Sequence, residues 1–367
     1  MSPLSGHTPV PVTVLTGFLG SGKTTVLNHL LRQPELHGVV AIINEFGEVG
    51  LDHLLVETSE ERFALLNNGC ICCSVREDLI QTLKDLRARR DAGSLPGFHR
   101  VLVETTGLAD PVPVLHTLMT SPDLLGDFRV DGIAVTVDAV NGARTLAAHP
   151  EAVKQVAVAD RILLTKVDLA DAADVASLVR SIGAINPTAS VLYTSNGVID
   201  AADILDAGLF DPLARSSDVA AWFETAAIMA VRSSQHHAHD HCEDPACDHA
   251  AVPHHHHPRI SSYSLIISEP VRWDAFTQWL DYVAALKGDD LLRFKGLVNV
   301  AEIPGGPVVV HGVQHVFHPP IEMKTWPSAD RRTRLVFITR NIPREVIERT
   351  LSKFAAISAE AIQRPAA

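Results

Sequence analysis

A glycine-rich loop constrains the fold of this chain more than any other stretch of its sequence. The loop reads GFLGSGKT from Gly17 to Thr24 and fits the pattern GxxxxGKS/T. An apolar run, Val10–Leu15, precedes it, and a segment of helical character, Lys23–Arg32, follows it. Glycines allow successive backbone N–H groups to curl around phosphate oxygens. The sequence therefore predicts a parallel sheet whose first strand ends in a phosphate-binding loop.

Side chains with the chemistry of nucleotide hydrolysis lie in this loop and at a later strand end. Lys23 can reach the β- and γ-phosphates, and the hydroxyl of Thr24 can ligate Mg²⁺. Glu104 follows an apolar run and can hold Mg²⁺ or its water, although a strand-end glutamate can also serve solubility alone. We assign catalytic roles to Lys23, Thr24 and Glu104. Nucleotide contacts are predicted for Gly17, Gly20, Ser21, Gly22, Lys23, Thr24, Thr25 and Gly107, the last of these at the γ-phosphate.

A second nucleotide motif, the run LLTKVD from Leu163 to Asp168, indicates which base is bound. Two N–H groups on one edge of guanine match a single carboxylate, which Asp168 supplies. The aliphatic stem of Lys166 can lie over the base, and Thr165 begins the motif. Ser195, just after the sixth predicted strand, is placed where the base pocket would close. Adenine presents the opposite hydrogen-bonding edge, so the motif favours GTP over ATP.

The first 210 or so residues alternate apolar runs with helical stretches, as in a parallel sheet covered by helices. The predicted strands are Val10–Leu15, Val39–Ile43, Arg100–Val103, Gly132–Val137, Arg161–Leu164 and Ser190–Tyr193. The predicted helices are Lys23–Arg32, Val75–Arg89, Val112–Met119, Ala152–Val158 and Ala172–Ile185. The fold class is α/β, a P-loop NTPase-type mostly parallel sheet with helices on both faces, plus a smaller α+β C-terminal domain. Domains are predicted at residues 1–215 and 259–367, joined by a linker at 216–258.

Three cysteines within four residues, Cys70, Cys72 and Cys73, lie between the phosphate loop and Glu104. This spacing is too compressed for a zinc finger, but neighbouring thiolates can chelate one ion and leave other positions open for transfer. Soft sulfur selects Zn²⁺ or Cu(I) over Mg²⁺. Buried cysteines acting as small hydrophobes are the alternative. Glu45 or Glu48 could add a carboxylate to the thiols, or could be solvated acids of a nucleotide-sensing loop.

A histidine-rich stretch at residues 235–258 has almost no side chain that could build a core. It contains nine of the chain's 19 histidines and two cysteines. Such a composition predicts a weak, multi-site chelator of transition metals, whereas the alternative is a solvated linker with no selected chemistry. The predicted ligands are His236, His237, His239, His241, Cys242 and Cys247.

Charge and composition limit the partners of the chain. Its 31 basic and 43 acidic side chains give a net charge of −12, and nucleic acid or an anionic membrane would require a basic footprint instead. No apolar run approaches the ~20 residues of a membrane span, and the first one lacks the features of a signal peptide. We therefore expect a cytoplasmic protein. In a reducing compartment its five cysteines are expected to be metal ligands or free thiols.

Taken together, these motifs resemble the CobW-like P-loop GTPases, a family of metallochaperones and metal-insertion proteins. The resemblance is carried by GFLGSGKTT, NEFGEVGLD, NNGCICCSVREDL, ETTGLADP and TKVD, and the CxCC between the nucleotide motifs is its most specific mark. DDLLRFKGLVNV, VVVHGVQHVFHP and TRLVFITRNI resemble the C-terminal domain of that family. The base motif begins with Thr165 where Asn is commoner.

The resemblance implies slow hydrolysis of GTP that is bound together with Mg²⁺. It also implies that the CxCC thiols hold Zn²⁺ or Co²⁺ and that this metal is delivered to a client metalloprotein. We expect GTP to order the switch segments and bring the thiols into chelating geometry, and hydrolysis to release the metal. Cobalt handling for cobalamin biosynthesis and activation of one metalloenzyme, such as a nitrile hydratase, are alternatives. A zinc storage protein with a vestigial GTPase site is a third. The protein is expected to be a monomer or a homodimer.

Overall fold

The computed structural model describes residues 8–43, 63–65, 74–205, 260–355, 357–358 and 360–363. Contacts divide the chain into two compact units, the first built on a parallel sheet and the second on an antiparallel one. Both predicted domain boundaries fall within residues 206–259, outside the described residues, and stay predictions.

The sheet of the first unit is formed by seven of the described strands, in the order β3-β2-β4-β1-β5-β6-β7. These strands are β1 (Val10–Gly17), β2 (Val39–Ile43), β3 (Phe63–Leu65), β4 (Arg100–Glu104), β5 (Phe128–Asp138), β6 (Arg161–Thr165) and β7 (Ser190–Tyr193). All neighbouring pairs are parallel. The carboxyl ends of the strands therefore meet at one edge, where such sheets bind their ligands.

The described helices of the first unit lie between these strands in the chain, except the last, which follows β7. They are α1 (Lys23–Leu31), α2 (Ser74–Asp91), α3 (Val112–Thr120), α4 (Gly142–Ala148), α5 (Pro150–Val158), α6 (Ala172–Ile185) and α7 (Ala201–Ile204). Strands β2, β4 and β6 are buried at every position, as expected for parallel strands covered on both faces. The apolar face of α1, formed by Val26, Leu27 and Leu30, belongs to this core.

The predicted fold class is confirmed, and most predicted elements agree with the structure to within a few residues. The largest difference among the predicted strands is β5, which begins at Phe128 rather than at Gly132. Asp131 interrupts the apolar pattern of this strand, but it is buried and paired with Arg100 of β4. A register shift against β1 between Val12 and Thr13 accompanies it. The pattern did not predict β3, α4 or α7.

The second unit is the smaller α+β unit that the sequence predicted. Its strands are β8 (Ile260–Ile267), β9 (Leu291–Val298), β10 (Val308–Val313), β11 (Val316–Phe317), β12 (Ile321–Glu322), β13 (Thr333–Arg340) and β14 (Ile362–Gln363). The order is β11-β10-β9-β13-β8-β14, with β12 beside β10. Helices α8 (Trp273–Lys287) and α9 (Arg344–Phe354) pack on this sheet, and Phe276, Trp279 and Phe337 are fully buried in the core.

Within the parts of the chain that the structure describes, no helix combines the length and the apolar character needed to cross a membrane.

Candidate nucleotide site

The loop between β1 and α1 is closed tightly against the neighbouring strand. A Cβ placed on Gly17 would lie 2.2 Å from Thr136 Oγ1, so only glycine fits at the start of the loop. Gly22, which precedes α1, has a φ of 93°, in the left-handed region that favours glycine. Ser21 Oγ lies 2.6 Å from Thr136 Oγ1 and 2.6 Å from the carbonyl oxygen of Phe18, to which it donates. The loop is thus held in its curled shape by β5 and by its own backbone.

Lys23 occupies the centre of this loop. Its Nζ donates hydrogen bonds to the carbonyl oxygens of Gly17, at 3.0 Å, and Phe18, at 3.3 Å. Burial lowers the pKa of Lys23 from its ordinary value, and the nearby Glu104 carboxylate partly opposes that shift. A desolvated cation favours an anionic ligand, because the charge of the ligand replaces the lost hydration. The surroundings of Lys23 therefore suit the β- and γ-phosphates that the sequence assigned to it.

Thr24 and Glu104 meet at the first turn of α1. Thr24 Oγ1 donates a hydrogen bond to Glu104 Oε1 at 3.0 Å, and Glu104 is 5% exposed. The pairing of β1 with β4, which aligns Leu15 with Glu104, brings the two residues to the same sheet edge. A hydroxyl and a carboxylate are hard oxygen ligands, so this donor set fits Mg²⁺. When bound, Mg²⁺ would neutralise charge on the β- and γ-phosphate oxygens.

The turn after β4 lies directly against the phosphate loop. A Cβ on Gly107 would be 2.7 Å from the backbone nitrogen of Leu19 and 2.8 Å from its Cα. Only glycine allows the two backbones to approach this closely. The predicted γ-phosphate contact of Gly107 therefore lies beside the loop that holds Lys23.

Two residues of the base motif are tied to the phosphate loop. Lys166 has a φ of 57°, and its Nζ donates to the carbonyl oxygen of Gly20 at 2.9 Å and to Asp138 Oδ2 at 2.7 Å. The hydroxyl of Thr165 donates to the carbonyl oxygen of Ser21 at 2.7 Å. In this structure Thr165 anchors the phosphate loop, and the position of Lys166 is set by the loop and by Asp138.

Asp138 was not among the predicted site residues, although it stands at a strand end, where parallel sheets place functional side chains. Burial alone would raise its pKa, but hydrogen bonds from Lys166, Asn141 and the Val140 backbone outweigh that effect and hold the pKa below its ordinary value. The charged carboxylate therefore fixes the Lys166 ammonium group next to the phosphate loop.

The other two predicted base-binding residues lie at the same edge of the sheet. Asp168 is exposed, in a short 3₁₀ turn at Val167–Leu169. Ser195 begins a tight turn in which the Val198 N–H donates to its carbonyl oxygen at 3.0 Å. A Cβ on Gly197 in that turn would be 2.8 Å from the carbonyl oxygen of Thr25. The turn after β7 is thus held against α1, next to the phosphate loop.

A cavity of about 490 Å³ lies on another side of the phosphate loop, between the loop, β5, α4 and α5. Phe18, Val135, Leu146, Ala152, Gln155 and Lys166 are among the residues that line it. The ring of Phe18 stacks on His149, with ring centroids 4.4 Å apart. Three predicted nucleotide contacts, Gly20, Ser21 and Lys166, line this cavity, whereas Lys23, Thr24 and Asp168 do not.

Two ranges of the chain match known protein families. Residues 11–193 match the CobW/HypB/UreG nucleotide-binding domain, and residues 260–355 match the cobalamin synthesis protein CobW C-terminal domain. The chain belongs to the CobW family. The resemblance drawn from the sequence motifs is thereby confirmed over residues 11–193 and 260–355.

Several curated relatives of this CobW-family chain match it over most of their length. The zinc chaperone YjiA of Escherichia coli is 31% identical over 339 residues, which cover 92% of this chain and 96% of the relative. The zinc chaperone CobW of Pseudomonas aeruginosa is 30% identical, with 95% and 92% covered. The zinc-regulated GTPase metalloprotein activator 1 of Schizosaccharomyces pombe is 28% identical, with 92% and 84% covered.

A solved structure with the same architecture is the crystal structure of the Zn(II)-bound YjiA GTPase from Escherichia coli. It superposes on this CobW-family chain with a TM-score of 0.66 and 25% sequence identity. The alignment covers 95% of this chain and 99% of the solved one.

The predicted metal-binding residues of this CobW-family chain lie outside the described residues. They are Cys70, Cys72, Cys73, Glu45, His236, His237, His239, His241, Cys242 and Cys247. Among the residues that the structure does describe, no group of three or more His, Cys, Asp or Glu side chains could hold a metal ion. The thiol site and the histidine-rich chelator therefore remain predictions.

Proposed function

We propose that this chain is a GTP-hydrolysing metallochaperone that binds Zn²⁺ as cargo at Cys70, Cys72 and Cys73 and passes it to a client metalloprotein. The observation that carries the GTPase part is the contact of Thr24 with Glu104 beside the buried Lys23. The names of the relatives, two zinc chaperones and a zinc-regulated GTPase metalloprotein activator, support zinc as the cargo.

The side chains divide the chemistry of GTP hydrolysis between them. Lys23 stabilises the charge that develops on the β- and γ-phosphate oxygens. Thr24 and Glu104 supply the hydroxyl and the carboxylate for Mg²⁺. Water attacks the γ-phosphorus, the bond from that phosphorus to the β–γ bridging oxygen breaks, and GDP and phosphate leave. Asp168 selects guanine, and Lys166 covers the base.

Strand register supports a coupling between nucleotide state and cargo. Ile43, the last residue of β2, is aligned with Glu104 on one side and with Leu65 of β3 on the other. The chain thus enters the segment of Glu45 and the segment of the cysteines from the same sheet edge that holds Glu104. We propose that ordering of these segments by the γ-phosphate and Mg²⁺ assembles the thiol site, and that hydrolysis opens it.

Zinc competition on the purified protein tests this coupling. Zn²⁺ affinity is measured against a chromophoric chelator with GDP and with a non-hydrolysable GTP analogue, both with Mg²⁺. We expect tighter binding with the analogue, and the difference should disappear in a variant with Cys70, Cys72 and Cys73 changed to Ser. Equal zinc affinities in the two nucleotide states would refute the coupling.

The histidine-rich stretch is proposed to collect metal for the thiol site, because clustered imidazoles bind transition metals weakly at many positions. A cytoplasmic location is proposed with it, since a reducing compartment keeps the three clustered thiols free to bind an ion. Deletion of residues 235–258 should lower the number of zinc ions that each chain binds in the presence of a competing chelator at millimolar concentration. The difference in Zn²⁺ affinity between GDP and the GTP analogue should remain.

A further inference from the structure

Helix α5 contacts both loops that would surround the γ-phosphate. His149, which immediately precedes the helix, stacks on Phe18 of the phosphate loop. Within the helix, Lys154 Nζ lies 2.5 Å from Asp110 Oδ2, in the segment after β4. The next residue, Gln155, reaches the turn that contains Gly107. One helix therefore touches the phosphate loop at its beginning and the turn after β4 in its middle.

Gln155 makes the buried part of this contact. Its Nε2 donates to the carbonyl oxygen of Gly107 at 3.2 Å and to that of Ala109 at 3.0 Å. The side chain is 1% exposed. Because both partners are carbonyl oxygens, which only accept, the nitrogen of the amide must be the atom that faces the turn. Its Oε1 has no hydrogen-bond partner among the described residues, so the interactions of the amide with this turn are the two donations.

The turn requires such an external restraint. Gly107 lacks the Cβ that would restrict its backbone, and it must lack one because its backbone lies against that of Leu19. Its orientation is therefore set by contacts rather than by local preference. Holding the carbonyl oxygens of Gly107 and Ala109 fixes the peptide planes on both sides of the turn.

We propose that Gln155 is a positioning residue for GTP hydrolysis, which fixes the turn after β4 so that the backbone of Gly107 meets the γ-phosphate. This inference rests on the proposed γ-phosphate contact of Gly107. It assigns a role in nucleotide discrimination to α5, a helix that carries none of the sequence motifs. Since GDP has no γ-phosphate, the effect of Gln155 should be confined to the triphosphate state.

The first test is Gln155→Met, which keeps the length of the side chain and removes both donations. We expect kcat for GTP to fall about tenfold to a hundredfold, because a misplaced group near the reacting atoms costs rates of that order. Affinity for a fluorescent non-hydrolysable GTP analogue should fall about tenfold, while affinity for fluorescent GDP stays within about twofold. A purely structural role would lower both affinities together.

A matched control is Gln33→Met. Gln33 also holds a nucleotide-site loop through its amide, donating to the carbonyl oxygen of Ile199 at 2.5 Å and accepting from the Ala201 N–H at 2.8 Å. Those residues follow the Ser195 turn on the base side, so this variant should weaken GDP and the GTP analogue by the same factor. The same Gln→Met change should thus weaken only the GTP analogue at position 155 and both nucleotides equally at position 33.

The second test is Gln155→Glu. An ionised carboxylate would face two carbonyl oxygens, whereas the protonated acid can donate to one of them. Burial favours the protonated form, so the ratio of variant to wild-type kcat should rise as pH falls from about 8 to about 6. A thermal unfolding assay shows whether the Met variant folds. If it does not, Gln155→Asn, which keeps the amide on a shorter side chain, should likewise lose affinity for the GTP analogue but not for GDP.

The outcomes separate this inference from the proposed function. Wild-type protein that neither binds nor hydrolyses GTP would end the proposed function itself. Wild-type protein that hydrolyses GTP, together with a Met variant of normal kcat or with equal losses for GDP and the analogue, would overturn only the role of Gln155. A pH-independent ratio for the Glu variant would overturn it as well.

Discussion

Thr24 Oγ1 donates a 3.0 Å hydrogen bond to Glu104 Oε1, across 80 residues of sequence. Adjacent parallel strands end at the same edge, so Thr24 in the first turn of α1 and Glu104 at the end of β4 come together there. This hydrogen bond joins the end of the phosphate loop to the acidic end of β4. It also makes Glu104 the residue whose charge can be tested most directly.

Changing Glu104 to Gln removes that charge at nearly constant volume. We expect kcat for GTP to fall about a hundredfold, as when one electrostatic stabiliser is removed from a reacting centre. The Mg²⁺ concentration for half-maximal rate should rise about tenfold, since a carboxylate is a stronger ligand for this ion than an amide. Titration of the hydrolysis rate with Mg²⁺ measures both. The exposed Glu35→Gln serves as the control, and an unchanged Mg²⁺ midpoint would contradict the role of Glu104.

Changing Lys23 to Ala removes the buried ammonium group at the centre of the loop. GTP hydrolysis should fall by about 10²–10³. The difference in Zn²⁺ affinity between GDP and the GTP analogue should vanish with it, because the γ-phosphate loses its main cationic partner. As control, Lys84→Ala removes an exposed lysine that lies 3.5 Å from Asp123, a surface pair of little energetic weight.

This variant also distinguishes a chaperone from a zinc store. A storage protein with a vestigial GTPase site would keep its zinc-dependent phenotype in cells that carry only Lys23→Ala. A metallochaperone would lose it.

Changing Asp168 to Asn tests base selection. The carboxylate of Asp168 can accept hydrogen bonds from both N–H groups of guanine, whereas the Asn amide has only one acceptor oxygen. GTP affinity should therefore fall about tenfold to a hundredfold. Xanthosine triphosphate carries a carbonyl in place of the guanine amino group, and the Asn amide can donate to it. Binding of that nucleotide should therefore improve in the variant, as measured by competition with a fluorescent analogue. Asp171→Asn, three residues away and exposed, should alter neither affinity.

Changing Asp138 to Asn tests the support of Lys166 through pH-dependent stability. The folded-state pKa of Asp138 lies below its ordinary value of about 3.9, so its charge contributes stability that is complete above that value. That stability is lost as pH falls through the lower folded-state pKa. Urea unfolding should show the variant about 1 kcal/mol less stable at neutral pH. The difference should shrink below about pH 4, and a difference that does not change with pH would contradict the assignment.

Sequence reasoning reached the parts of this protein whose signal is local. The bounds of β2, β7 and α6 were predicted to the residue, because apolar periodicity and flanking polar residues mark them. The phosphate loop was also predicted from local sequence, since its glycines and Lys23 lie within seven residues of one another.

Features that depend on distant residues could not be predicted in this way. The charge of Asp131 shortened the predicted β5, because its partner Arg100 lies 31 residues earlier. Gln155 carries no motif, and its two acceptors lie 46 and 48 residues away. The sequence shows Asp138 only as an acidic residue at the end of a strand. Its partner, Lys166, could be identified only from the pairing of β5 with β6, which aligns Asp138 with Thr165.

The strand order has a consequence for the synthesis of this protein. Strand β1 lies between β4 and β5, and its Val12 is aligned with Val101 and Val130. A ribosome adding about 5–20 residues per second needs several seconds after β1 has emerged before either neighbour exists. During that time neither edge of the apolar strand β1 has its partner strand from the native sheet. The strand that carries the phosphate loop is thus synthesised before both of its neighbours in the sheet, and its pairing is complete only after β5 has emerged.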